Sequence, residues 1–355
     1  MDKIPKIWRD NLITYGMVIA IYAVMQILIS FGLVSRLMQG LLVPLCIYVI
    51  LAISLNLTVG ILGELSLGHA GFMCLGAFAG AFFSKITVEA ITFSPLRFFL
   101  AIVIGAVVAG FFGFLIGMPV LRFRGDYLAI VTLAFGEIIK NVINALFVGL
   151  DDRGFHFSLS DRASLGLYED GEVIINGAQG IIGTPQDSNF TVGIVLVLLT
   201  LFIVQNLIRS RDGRAIMSIR DNLIASESIG IHVTKYKLMA FSISAALAGV
   251  AGVLYSHNLN NVVASPRAFG YNMSIMILVF VVLGGIGNIR GSMIAAVVLT
   301  LLPEMMRGLD RYRMLIYAIV LIVMMLFNWS PQILAWREQH SIKDLIGRVR
   351  GRSRV

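Results

Sequence analysis

Long apolar runs separated by short polar segments set the pattern of this chain. They fall near residues 12–34, 41–61, 63–83, 98–118, 126–147, 190–208, 238–257, 271–287, 291–306 and 314–328. Runs of about 18 nearly uncharged residues are long enough to cross a hydrocarbon layer about 30 Å thick. The pattern predicts an all-α polytopic membrane protein of about ten transmembrane helices, with both termini on the same side. Lys3, Lys6 and Arg9 precede the first run in the manner of a signal peptide. That run is long for a signal sequence, and no A-x-A site follows it. It is read as an uncleaved span with Trp8 and Tyr15 near the interface.

The polar segments between the runs differ in kind. Residues 148–189 form the longest, and Leu150–Phe190 holds seven acidic and two basic residues. Arg209–Lys237 is basic and helix-like. Asp212 is placed to cap it, Ile216, Ile219 and Leu223 recur at helical spacing, and Gly230 stands where a left-handed cap would end it. The segment reads either as a solvated loop or as a short amphipathic helix on which another protein can push. In the second reading Ile216, Ile219 and Leu223 form the buried stripe, while Arg214, Arg220 and Glu227 are exposed. Small residues recur every four positions at Gly76/Gly80, Ala109/Gly113/Gly117, Ala248/Gly252 and Gly287/Gly291, a spacing that lets helices approach closely. Arg124–Ile139 and Arg290–Met306 both begin Arg-Gly and carry a late glutamate, as duplicated transporter halves can, although the glutamates are one residue out of step.

Composition adds the class. The chain has 355 residues, 58% of them hydrophobic and 14% charged, with a mean hydropathy of +0.88. A soluble domain of this length carries far more polar surface. The formal charge of +8 reflects membrane orientation rather than nucleic-acid binding. With the N-terminus cytoplasmic, Lys/Arg residues on the inside outnumber those outside by about two to one, as the positive-inside rule requires. Residues 1–10, 209–237 and the basic tail 329–355 then lie in the cytoplasm, and 148–189 lies outside. Arg307, Arg311 and Arg313 are the weak point of this count. Cys46 and Cys74 fall in apolar runs without metal-ligand spacing and read as packing residues.

Catalytic chemistry finds little support. No lysine follows a glycine, so there is no phosphate-binding G-x-x-x-x-G-K-[ST] loop. There is no H-E-x-x-H, and Glu64 occupies the position that a nucleophile elbow around Ser66 would give to glycine. No cofactor is expected on this chain. What remains is polar groups at membrane depth, where charge is costly and usually faces the bundle interior or a water-filled path. Glu64, Ser66 and His69 stand among Gly60, Gly63, Gly68 and Gly71, which mark a break in the helix. They read as a translocation-path element or as an interhelical hydrogen-bond cluster. Glu137 and Lys140 share one helix face and read first as an ion pair. Asn56, His257, Asn258 and Asn272 lie near span ends, and His232 is read as solvated.

Leu55–Ala81, Gly125–Lys140, Gly213–Tyr255 and Val281–Gly291 closely resemble the M-type permease subunit of branched-chain amino acid ABC importers, over roughly residues 40–328. The resemblance implies the permease fold of the branched-chain amino acid and ribose permease superfamily. It implies residence in a bacterial inner membrane. It also implies partners: a related H-type permease, two cytoplasmic ATPases that bind ATP and magnesium, and an external binding protein. Gly213–Gly230 matches the region that docks on an ATPase, and Ala225–Gly230 looks like a variant of the EAA-type signature. On this reading Arg214, Ile216, Ile219, Arg220, Leu223, Glu227 and Gly230 carry coupling, and Glu64, Ser66, His69, Asn56 and Glu137 are path candidates. Two features depart from the family: Phe327–Ile333 replaces a Pro-Gly-Leu turn, and an acidic insert precedes Gly177 in the outer loop. Importers of the same architecture for urea, short amides or other amino acids, and an ion-coupled secondary transporter, are the alternatives.

Overall fold

The computed structural model describes residues 6–305 except 124, 153 and 168–170, together with 315, 318, 319, 321–323 and 326; side chains are described from Ile13 onward. The span read at 314–328 falls largely outside the described residues, and so do the tail 329–355 and residues 1–5. The chain divides into two compact units, residues 1–297 and 298–355. The first unit holds the elements that position the site.

The helices are α1 (Lys6–Ser30), α2 (Arg36–Asn56), α3 (His69–Ile86), α4 (Ser94–Val120), α5 (Asp126–Ala145), α6 (Phe190–Arg209), α7 (Arg211–Asp221), α8 (Leu223–Ser228), α9 (Val233–Ser256), α10 (Pro266–Phe269), α11 (Tyr271–Gly284) and α12 (Ile289–Met305). Among the described residues eight helical segments are long and apolar enough to cross a membrane. Helix α12 matches the ninth expected span at 17 residues.

Polarity alone does not say which face of such a helix points inward, because both faces are apolar. Size does. In α4, Ala101, Gly105, Ala109, Gly113 and Gly117 are buried, while Val103, Val107, Phe111, Phe114 and Met118 are exposed. Small side chains let backbones come close where burial from water supplies no drive. A Cβ on Gly71 would lie 2.7 Å from the Cα of Gly136 on α5, and one on Gly249 of α9 would lie 2.6 Å from the carbonyl oxygen of Gly105 on α4. The close approach expected at Gly76, Gly113 and Gly252 is therefore real. Gly287/Gly291 is different: Gly287 has φ +82° in the turn before α12, so its spacing belongs to that turn.

Helix α2 is the central span; Ile50, Leu51, Ala52, Ile53 and Leu55 have no exposed surface. Ser35 caps its start by accepting from the Met38 amide. The aligned glycines of the suspected repeat differ, since Gly125 precedes α5 at φ +59° while Gly291 sits inside α12.

The long polar segment after α5 is not a plain loop. Strands β1 (Phe147–Asp151), β2 (Gly154–Ser158) and β3 (Glu172–Asn176) form an antiparallel sheet in the order β2-β1-β3. Strand β4 (Ile181–Ile182) pairs with β5 (Asn261–Val262), which follows α9. The sheet and the α7–α8 segment therefore lie at opposite ends of α6 and α9.

Candidate functional site

The second span, Arg36–Leu62, ends in a buried irregular stretch that leads into the third. Helix α2 passes into a π-helical turn, Leu57–Leu62, that ends at Gly63 with φ +82°. Residues 63–68 are irregular, and α3 begins at His69. Such a break is tolerated at membrane depth only where protein or a cavity covers the freed backbone groups. Here groups from the turn itself and from three helices do so. The Glu64 amide returns to the Thr58 carbonyl at 3.1 Å. The Leu67 amide donates to Thr132 Oγ1 on α5 at 3.0 Å, and the Ala70 amide donates to Ser274 Oγ on α11 at 3.1 Å. Arg220 Nη1 on α7 donates to the Gly60 carbonyl at 2.9 Å.

The path candidates have distinct surroundings. Asn56 is fully buried; its Nδ2 donates to Ser292 Oγ at 2.8 Å, and its Oδ1 accepts from the Gly287 amide at 2.9 Å. Glu64 forms an ion pair with Lys237 near the start of α9. His69 is buried, and its Nε2 lies 2.7 Å from Ser54 Oγ. Because Ser54 Oγ donates to the Leu51 carbonyl, His69 is the donor in that bond. Glu137 pairs with Lys140, as its spacing predicts, and also accepts from the Tyr271 amide at 2.7 Å. It thereby satisfies the first turn of α11, where a carboxylate is favoured. Ser66 is 2% exposed, and its hydroxyl has no hydrogen-bond partner among the described residues. Asn56, Glu64, Ser66 and His69 thus gather at one break, while Glu137 meets α11.

The Arg209–Lys237 segment forms two helices where the spacing predicts one. Ser210, not Asp212, caps α7 by accepting from the Gly213 amide at 3.0 Å; Asp212 sits in the first turn. Asn222 ends α7 in an extended conformation and caps α8 through the Ala225 amide. Ile216 and Ile219 are buried. Ile216 packs with Leu57, Ile61, Leu62 and Ala240, so the stripe faces the bundle rather than outward. Leu223 is only half-buried, because the break at Asn222 takes it off that face. Arg214, Arg220, Glu227 and Gly230 are exposed, and Gly230 has the expected positive φ of +85°. Ile224 and Ile229 are 75% exposed. An open cleft in the same segment is lined by Glu227, Gly230, Ile231, His232, Val233 and Thr234.

Sequence reasoning does not single out Lys237, Thr132, Ser274 and Ser292. Each is an ordinary side chain whose importance lies in a partner distant in sequence. It also misses a second polar cluster. Arg97 of α4 pairs with Asp187 at 3.0 Å, and Ser94 donates to the same carboxylate. Nearby, His257 Nδ1 donates to the Val253 carbonyl at 2.9 Å, which leaves Nε2 to accept from Ser84 Oγ at 2.8 Å. Cys46 and Cys74 are buried and unpaired by any disulfide.

A family model described as branched-chain amino acid transport system / permease component matches residues 37–326. The chain is 36% identical over 320 residues to the high-affinity branched-chain amino acid transport system permease protein LivM of Salmonella typhimurium, covering 86% of this chain and 71% of that protein. It is 35% identical to LivM of Escherichia coli over the same shares. It is 28% identical over 301 residues to the high-affinity branched-chain amino acid transport system permease protein BraD of Pseudomonas aeruginosa, covering 83% of this chain and 93% of BraD. No solved structure matches the chain. The chain is a multi-pass membrane protein that belongs to the permease-component family of branched-chain amino acid transport systems.

Proposed function

We propose that this chain is the M-type permease subunit of an ABC importer that carries leucine, isoleucine and valine across a bacterial inner membrane. The observation that carries the substrate is the 36% identity to LivM along 86% of the chain. The chain works with an H-type permease, two cytoplasmic ATPases that hold ATP and magnesium, and an external binding protein. It has no ATPase site of its own, so its energy arrives through a surface. The α7–α8 segment is that surface. Ile216 and Ile219 fasten it to the bundle, and Arg214, Glu227, Gly230 and the exposed Ile224 and Ile229 face the ATPase. Both termini and this segment are cytoplasmic, and the sheet-bearing segment 148–189 is external, where the binding protein docks.

The broken span supplies the path. Its polar groups are few and modest, which suits a cargo with an aliphatic side chain and two small charged ends. Asn56, Glu64, Ser66, His69 and Glu137 line or support it. Selectivity rests mainly with the binding protein.

The test is purification of the chain from its own membrane in mild detergent, followed by uptake in proteoliposomes. Two ATPases and a second permease co-purify, and ATP-dependent, vanadate-sensitive leucine uptake follows. Uptake of urea or short amides but not leucine removes the substrate assignment. Uptake insensitive to vanadate and abolished by an uncoupler replaces the reading with an ion-coupled transporter.

A further inference from the structure

The exposed face of Arg220 suggests an outward role, but its guanidinium turns inward. A helix end leaves its last carbonyls without partners and carries partial negative charge. The π-helical turn Leu57–Leu62 is such an end, placed inside the bundle. Arg220 Nη1 donates to its Gly60 carbonyl at 2.9 Å. The stem of Arg220 lies across Gly63: a Cβ there would meet Arg220 Cγ at 2.6 Å. The other guanidinium nitrogens, Nε and Nη2, hold the neighbouring Asp221 at 3.2 and 3.0 Å.

The same π turn is fixed on its other side. Gly60 packs against Gly287, where an added Cβ would lie 2.7 Å from the Gly287 Cα. Asn56, just before the turn, accepts from the Gly287 amide and donates to Ser292 on α12. Lys237, at the start of α9, holds Glu64 just beyond the turn. One irregular turn therefore joins α7, α9 and the entrance to α12. Single π turns inside helices recur at functional sites, and coupling between sites requires an element whose arrangement both can bias.

We propose that Arg220 is a strut that transmits displacement of α7 to the π-helical turn Leu57–Leu62 and, through Asn56, to the Gly287 turn that starts α12. This rests on the reading of α7–α8 as the ATPase-facing segment. It changes the role of Arg220 from a docking contact to a positioning residue that acts on the broken span. Ile216 and Ile219 keep α7 in place, and the guanidinium makes the movement specific to one carbonyl. Motion of α7 then reaches the path without passing along α6 or α9, the two spans to which the segment is covalently joined.

The experiment uses the complete complex in proteoliposomes and reads three quantities: ATPase subunits retained, ATP hydrolysed, and leucine moved per ATP. Arg220→Met keeps the stem over Gly63 and removes the donor. It retains the ATPases and their hydrolysis but moves about ten-fold less leucine per ATP. Arg220→Lys keeps a charged donor and falls between Arg220→Met and wild type. Arg36→Ala, at the exposed start of α2 and outside α7–α8, leaves the ratio unchanged. A general loss of structure lowers hydrolysis and uptake together and does not split them.

Arg220→Met with the wild-type ratio overturns the strut. Loss of the ATPases from Arg220→Met with hydrolysis intact per bound ATPase also overturns it, and returns Arg220 to a docking contact. Should Arg220→Met not accumulate, Arg220→Lys decides alone: a lowered ratio supports the strut, and a wild-type ratio overturns it. A wild-type complex that holds no ATPases overturns the underlying reading instead.

Discussion

Two polar clusters sit at opposite ends of α3 and α9, and they are built differently. Near the start of both helices, Asn56, Glu64, His69, Lys237 and Arg220 surround a broken span. Near their far ends, Ser84, Ser94, Arg97, Asp187 and His257 join α3, α4, α9 and the segment before α6. In the far cluster side chains mainly satisfy one another, Arg97 also donating to the Ile91 carbonyl before α4 at 3.4 Å, and Phe98 packs on the His257 ring at 4.7 Å. In the near cluster, Asn56 and Arg220 instead satisfy backbone groups of the break and the neighbouring turn. Backbone that depends on distant side chains has another arrangement available whenever those side chains move, and intact helices do not. On the proposed reading the near cluster is the one that changes, and the far one holds.

The largest expected effects come from the buried ion pairs. Removing one partner strands a charge and costs about 3–5 kcal/mol, while replacing both with apolar residues can be close to neutral. Arg97→Met and Lys237→Met each lower the unfolding temperature of the purified complex sharply. The doubles Arg97→Met/Asp187→Leu and Lys237→Met/Glu64→Leu recover most of it. Leucine uptake then separates the clusters: the first double transports and the second does not. Equal uptake by the two doubles would erase the distinction.

Steric probes give the next effect. Gly60→Ala drives a methyl group into the Asn56 side chain and the Gly287 backbone. Neither can move freely, and overpacking of this kind costs about 1–3 kcal/mol. Gly80→Ala, toward the far end of α3, meets the Val253 methyl groups at 2.7 and 2.9 Å. Those methyls can yield, so the loss is smaller. Thermal unfolding of the two variants side by side checks the order, and a greater loss at Gly80 would break the comparison.

Much of this is legible in the sequence because a bilayer imposes a one-dimensional rule: an apolar run of sufficient length must span. The break is legible too, since Gly60, Gly63, Gly68 and Gly71 surround polar residues inside such a run. Its partners are not. Arg220 binds a carbonyl, which every residue has, and Thr132 and Ser274 meet the break only after folding. Asp212 looks like a cap because it precedes the apolar stripe, yet Ser210 stands three residues before the amide that needs an acceptor. Asn222 divides the segment into two helices, capping the second while ending the first, a double role that periodicity does not register. The small sheet after α5 leaves little trace in the sequence because its strands are five residues long and lie among charged turns.

The smallest structural effect is expected at Ser66, and it is the most informative about the path. Removing a hydroxyl that holds a partner costs about 0.5–1.5 kcal/mol, and more where a buried group is left unsatisfied. Ser66 Oγ has no such partner among the described residues, so Ser66→Ala leaves the unfolding temperature of the complex within error. On the proposed reading its contribution appears in function. A buried hydroxyl without a bond is an exception in folded proteins and invites an explanation. If it meets the cargo or a water during translocation, Ser66→Ala lowers leucine uptake several-fold while stability and ATP hydrolysis hold. Ser84→Ala is the matched control: it removes the donor to His257, lowers stability measurably and leaves transport per folded complex intact. Uptake unchanged in Ser66→Ala would take the hydroxyl out of the path and reduce the near cluster to its tethers.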